Sequence, residues 1–117
     1  MSSHDVRVTF FQMRDAANEA LAMTQGRLRA DLDEDRMFSL AIVRLLEMLG
    51  EAANCIPRDD QTRYPRIPWA QLIGLRNRLI HAYDQIDHDI LWQILTSDVP
   101  SLCAELERLL SSENNVT

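Results

Sequence analysis

The chain has 117 residues, 46% hydrophobic and 26% charged, which is length and apolar content for one domain with a buried core and gives no sign of disorder. A net charge of −6 argues against a protein that coats nucleic acid by bulk electrostatics, and no apolar run approaches the roughly 20 residues of a membrane span. The opening Met-Ser-Ser-His-Asp-Val-Arg lacks the basic-then-apolar pattern of a secretory signal, so a cytoplasmic protein is expected.

Only three glycines and four prolines punctuate the chain, and Pro57, Pro65 and Pro68 fall in one stretch, so the remainder reads as long helices. From about Val6 to Leu28, apolar or small residues recur at Val6, Phe10, Met13, Ala17, Ala20 or Leu21, Thr24 and Leu28, the spacing of an amphipathic helix. The acidic break Asp31 to Asp35 offers N-caps to a second helix from about Glu34 to Cys55. Its apolar face is Met37, Leu40, Ala41, Leu45, Met48, Leu49 and Ala52. Residues 56–67 read as the one real loop, and Pro68 opens a third helix expected to end between Tyr83 and Ile86. Asp87 looks like the N-cap of a short fourth helix. Ser97 or Asp98 then caps a last one whose inner face is Leu102, Leu106, Leu109 and Leu110, before a polar tail from Ser111. The short connections predict an all-α, up-and-down antiparallel bundle of four main helices with an extra short one. Cys55 and Cys103, alone in apolar helical patterns, read as buried free thiols.

All twelve basic residues are arginines, and Arg58, Arg63, Arg66, Arg76 and Arg78 cluster against only Asp59 and Asp60, a local positive patch on an acidic body. The densest chemistry is Arg76-Asn77-Arg78-Leu79-Ile80-His81-Ala82-Tyr83. Arginine presents a planar fork of donors matched to phosphate oxygens, and histidine, with an ordinary pKa of about 6.5, takes and gives protons near neutrality. The pairing points to chemistry on a phosphodiester. His81 would remove a 2′-hydroxyl proton or protonate the leaving oxygen, Arg76 would stabilise charge on the phosphorane, and Asn77 would hold the phosphate or orient His81. Arg78 adds a guanidinium for the RNA backbone. DNA lacks the attacking hydroxyl, so RNA selectivity follows. On one ideal helix, Asn77 and His81 would share a face while Arg76 and His81 would stand about 140° apart. Convergence on one phosphate would then need a looser helix near His81, a wrapped arginine, or a second copy of the chain.

The segment Gly74-Leu75-Arg76-Asn77-Arg78-Leu79-Ile80-His81-Ala82-Tyr83, preceded by Ile67-Pro68-Trp69 and followed by Ile86-Asp87 and Leu91-Trp92, resembles the R-x4-H-x-Y signature of the HepT-like branch of HEPN proteins. Gly50-Glu51-Ala52-Ala53-Asn54 and Asp98-Val99-Pro100-Ser101-Leu102 extend the likeness to nearly the whole chain, as a single HepT-like domain over 1–117. The resemblance implies a homodimeric helical bundle acting as a metal-independent endoribonuclease that uses no cofactor. It also implies the toxin of a type VII (HEPN/MNT) toxin–antitoxin system, encoded beside an MNT-type nucleotidyltransferase antitoxin. It places the catalytic pair at Arg76 and His81, a polar companion at Asn77, and the tyrosine that the partner silences by AMPylation at Tyr83. Asp84 follows Tyr83 where many relatives have Phe, which sets this chain apart at that position.

Other readings compete. His81, Asp84, Asp87, His88 and Asp89 are potential metal ligands, but a cap at Asp87 would break their common face. Glu47 and Glu51 with Arg44 could form an acid pair or a link to the arginine cluster but read rather as a solvated or ion-paired stripe, and Trp69 and Trp92, which could stack on bases, read as core anchors. The alternative function is a non-catalytic accessory or substrate-binding subunit of a nucleotidyltransferase.

Overall fold

A computed structural model describes residues 3–81 and 85–114, with side chains described for 6–79 and 85–111. Helix α1 (Ser3–Thr24) turns Val6, Phe10, Met13, Ala17, Ala20 and Thr24 inward, as the spacing predicts. It stops short of Leu28 because Gly26 adopts a left-handed φ of 77°, a conformation that costs glycine little, and Leu28 is left exposed. A one-turn helix α2 (Asp31–Glu34) follows, and Asp35 caps α3 (Arg36–Asn54) by accepting a 3.1 Å hydrogen bond from Phe38 N–H. That bond and the ion pair with Arg27 hold the Asp35 carboxyl below its ordinary value.

Helix α3 is the centre of the bundle, packing on α1, on α2 and on the helices that follow. Its buried face is Phe38, Ile42, Leu45, Leu46, Leu49, Gly50 and Ala53, rotated from the expected one. Met37, Leu40 and Met48 are instead 83, 55 and 42% exposed. The polar side of the helix, Arg36, Arg44, Glu47, Glu51 and Asn54, falls within about 80° of turn and stands opposite the buried face, so the helix's own pattern marks which side is covered. Gly50 is the point of closest approach: a Cβ there would meet the Leu72 carbonyl oxygen at 2.7 Å.

The stretch 56–67 contains a short helix, α4 (Arg58–Thr62), where a plain loop was expected. The expected third helix is two short ones, α5 (Trp69–Ile73) and α6 (Leu75–Leu79), divided at Gly74. It does not continue to Tyr83. The chain becomes extended at β1 (Ile80–His81), which pairs antiparallel with β2 (Gln85–Ile86), with Ile80 opposite Ile86 and His81 opposite Gln85. Asp87 then caps α7 (His88–Gln93), accepting from Asp89 and Ile90 N–H.

No side-chain cap separates α7 from the last helix. A π-helical segment, Ile94–Asp98, joins α7 directly to α8 (Val99–Asn114), and Asp98 spends its carboxylate on Arg78. Pro100 gives the physical reason: without an N–H and with a ring that crowds the carbonyl four residues back, it cannot continue a regular α-helix, and the wider turn absorbs the defect. The expected face Leu102, Leu106, Leu109 and Leu110 is buried. Among the described residues the result is all-α apart from one two-residue pair of strands, a bundle of α1, α3, α5–α6 and α7–α8 with short helices between. Among the described residues no helix is long and apolar enough to cross a membrane.

Cys103 is buried, which pushes its thiol up, whereas Cys55 is exposed at the end of α3, against expectation. Trp69 and Trp92 both pack partly buried against the core, and Trp69 Nε1 donates to the Tyr64 carbonyl at 3.1 Å. A polar network ties α2 to α7: His88 Nδ1 lies 2.7 Å from Asp33 Oδ1, and Arg29 reaches both Asp33 and Asp89, at 2.9 and 2.8 Å.

Two tests follow from this packing. In Gly50→Ala, overpacking against Leu72, typically about 1–3 kcal/mol, exceeds the helix gain of about 0.5–1 kcal/mol. Its urea midpoint should therefore fall, and an unchanged or raised midpoint would contradict the close approach. The Asp33 carboxyl is held below its ordinary 3.8, first by the hydrogen bond from His88 and then by that from Arg29. A depressed native value means stability is present above the unfolded value and lost as pH falls through the native one. Acid titration of unfolding below about pH 4 should show a smaller loss for Asp33→Asn than for the wild type. Identical acid limbs would show that the network contributes nothing.

Candidate active site

Arg76 opens its presentation in the first turn of α6, where Leu75 and Leu79 bury one side of the helix and leave Arg76 and Asn77 exposed on the other. Arg76 is exposed and, among the described residues, makes no ion pair. Two recesses flank it. The wider, about 190 Å³, lies between α3 and α5 and is lined by Leu46, Glu47, Gly50, Glu51, Asn54, Leu72, Ile73, Leu75 and Arg76. The narrower, about 60 Å³, is lined by Val43, Glu47, Arg76, Leu79 and Ile86. Arg76 and Glu47 are common to both and stand at their junction.

His81 follows two residues after α6 ends, on the extended pair rather than on a helix. The expected geometry, with Asn77 and His81 sharing a helical face and Arg76 turned 140° away, therefore does not apply. The backbone does leave the helix before His81, the loosening named as one of the three routes. The physical cause is the return of the chain: Asp87 N–H donates to the Leu79 carbonyl at 2.9 Å, satisfying a helix-end acceptor that would otherwise call for another turn. Tyr83 and Asp84 lie outside the described residues.

Arg78 is half-buried and bonded to Asp98 Oδ2 at 3.2 Å, so it joins α6 to the last helix as well as carrying charge. The arginine cluster is correspondingly less bare than its sequence implies, since Arg63 lies 3.8 Å from Asp60 and Arg66 acts on Glu105. The metal-ligand cluster does not converge among the described residues. Asp87 caps α7, His88 holds Asp33 and Asp89 holds Arg29. Glu51 approaches Arg44 at 3.7 Å, the ion-paired stripe expected, but Glu47 is half-buried in the recesses beside Arg76. That placement fits the less favoured reading, a link to the arginine cluster. Its signal is the run Glu47, Gly50, Glu51 and Asn54 at helical spacing, with a glycine where a neighbouring helix must come close.

Comparison with known proteins agrees with the motif. Residues 13–109 match the family model described as "Ribonuclease HepT-like". A Methanocaldococcus jannaschii protein named "Putative RNase" is 36% identical over 107 residues, covering 92% of this chain and 98% of its own. A second protein of that name from the same organism is 30% identical over 110 residues, covering 94% of this chain and 91% of its own. A Thermococcus cleftensis protein named "Probable ribonuclease HepT" is 40% identical over 75 residues, covering 64% of this chain and 68% of its own. No solved structure matches the chain. The chain belongs to the ribonuclease HepT-like family.

Proposed function

We propose that this protein is a metal-independent endoribonuclease with Arg76, Asn77 and His81 as its catalytic groups. The observation that carries the reading is an R-x4-H motif, in a chain of the ribonuclease HepT-like family, whose arginine is exposed beside two recesses and makes no ion pair among the described residues. Relatives named as ribonucleases support the substrate class. In the reaction, the 2′-oxygen attacks the adjacent phosphorus, its proton passes to a base, the bond to the 5′-oxygen breaks, and that oxygen takes up a proton. His81 serves one or both proton transfers, Arg76 stabilises the phosphorane, and Asn77 holds the phosphate or orients His81. These groups supply charge stabilisation and proton transfer without a metal. Arg78, tethered to Asp98, enters as a contact to the RNA backbone at the margin of the site.

The wider proposal is a cytoplasmic toxin of the type VII (HEPN/MNT) class, working as a homodimer and silenced by an MNT-type nucleotidyltransferase antitoxin that transfers AMP to Tyr83. Tyr83 is two residues beyond His81, so the modification would add bulk and negative charge where the RNA phosphate binds. The alternative is a non-catalytic accessory or substrate-binding subunit of a nucleotidyltransferase. The net charge of −6 and the acidic residues beside Arg76 favour it.

The two readings separate in one assay. End-labelled RNA in excess EDTA is incubated with wild type whose Tyr83 is shown by intact mass to be unmodified, with protein carrying one AMP, and with His81→Ala and Arg76→Ala. Unmodified wild type should cut, and each variant should lose about 10²–10⁴-fold. The modified form should be inactive, and if it cuts equally well the silencing proposal fails. Intact RNA with unmodified wild type, or equal cutting by the variants, would put the accessory subunit first.

A further inference from the structure

The wider recess beside Arg76 contains an arrangement that phosphate binding does not explain. Carboxylates repel RNA phosphates, yet Glu47 and Glu51 line it next to the arginine, with Asn54 one turn beyond Glu51. Its apolar wall is Leu46, Leu72 and Leu75. Its shape depends on Gly50, where any Cβ would strike the Leu72 carbonyl at 2.7 Å and hold α5 away from α3. At about 190 Å³ it has the volume of about six liquid waters at about 30 Å³ each, room for one planar base and too little for a base pair.

The chemistry of the rim selects among bases. A carboxylate only accepts hydrogen bonds, and guanine alone presents two adjacent donors, N1–H and the N2 amino group, on its Watson–Crick edge. Beside them is the acceptor O6, which an asparagine amide can serve. Adenine, cytosine and uracil each set an acceptor next to a donor on that edge, and an acceptor facing a carboxylate is repelled. The narrower recess, about 60 Å³ and too small for a base, adjoins the wider one through Arg76 and Glu47. An anion held by Arg76 thus has the wider recess beside it, where the base attached to a phosphate would lie.

We infer that the recess between α3 and α5 is a guanine-selective nucleobase subsite. Glu47 and Glu51 accept from N1–H and the N2 amino group, Asn54 donates to O6, and Arg76 holds the attached phosphate. Its role in selecting a cleavage position rests on the ribonuclease reading, whereas its capacity to bind guanine does not.

The test is equilibrium binding of 5′-GMP and 5′-IMP, which differ only in the N2 amino group, to the full chain and to the Glu47→Gln/Glu51→Gln variant. Both substitutions keep side-chain shape and helix propensity, and both sites are on the polar side of α3, outside its buried face. Wild type should bind GMP about tenfold or more tightly than IMP, the worth of one hydrogen bond to a charged acceptor, and the gap should shrink to about twofold or less in the variant. Equal binding of the two nucleotides by wild type, or a gap that survives in the variant, overturns the subsite. RNA cleavage without the gap would leave the ribonuclease and remove the subsite. The gap without cleavage would do the reverse.

Discussion

The arrangement turns on Asp87, which ends one helix and begins another. Its N–H donates to the Leu79 carbonyl at 2.9 Å, and its carboxylate accepts from Asp89 and Ile90 N–H at 3.0 and 3.1 Å. A helix end leaves acceptors that need partners and a helix start leaves donors that need them. One residue serves both, and the short pair of strands between them reverses the chain in a few residues. Arg76 consequently stays on a helix whose other side is locked into the core by Leu75 and Leu79, while His81 is carried on extended backbone. A cap of this kind contributes about 1 kcal/mol. Its larger effect is geometric, because it decides where the arginine-bearing helix stops.

The second constraint is the contact at Gly50. Helix α3 is the shared wall of the bundle, and its glycine allows the backbone of α5 to lie against it. Close packing beneath and charged rims above give the recess its mixed character, apolar wall with polar edge, on which selective binding of planar ligands generally relies. The arginine at its mouth belongs to the next helix, so the relative placement of Arg76 and Glu47 depends on the packing of α5–α6 on α3 rather than on local sequence.

Much of this was legible in the sequence. Period-3.6 spacing located the buried faces of α1 and α8, and Asp87 was readable as a cap because an acidic residue before an apolar run has few better uses; the break Asp31 to Asp35 held the cap of α3 at its last residue, so that the helix starts at Arg36, two positions beyond the expected start at Glu34. The face of α3 was readable and was misread: Arg36, Arg44, Glu47, Glu51 and Asn54 share one side, which leaves Met37, Leu40 and Met48 on or beside it and Phe38, Ile42 and Leu49 opposite. The end of α6 was hidden: nothing in Ile80-His81 opposes a helix strongly, and the return of Asp87 to Leu79 is a tertiary contact. The π segment before Pro100 could have been anticipated from the proline, but a cap at Asp98 was the simpler reading, and Asp98 is instead bonded to Arg78. Of the site, the residue types were evident and their setting was not; Glu47 is the clearest case, an apparent surface charge that stands beside the arginine.

The central claim is that the Arg76 and His81 segment carries out attack by a 2′-hydroxyl on its own phosphodiester. The most direct measurement uses a short RNA whose cut position is mapped, compared with the same strand bearing a single 2′-deoxy sugar immediately 5′ of that phosphate. The account predicts that the all-ribose strand yields a 2′,3′-cyclic phosphate end in EDTA and that the single deoxy substitution abolishes the cut at that position. Cleavage of the deoxy-bearing linkage at the rate of the unsubstituted one would contradict it.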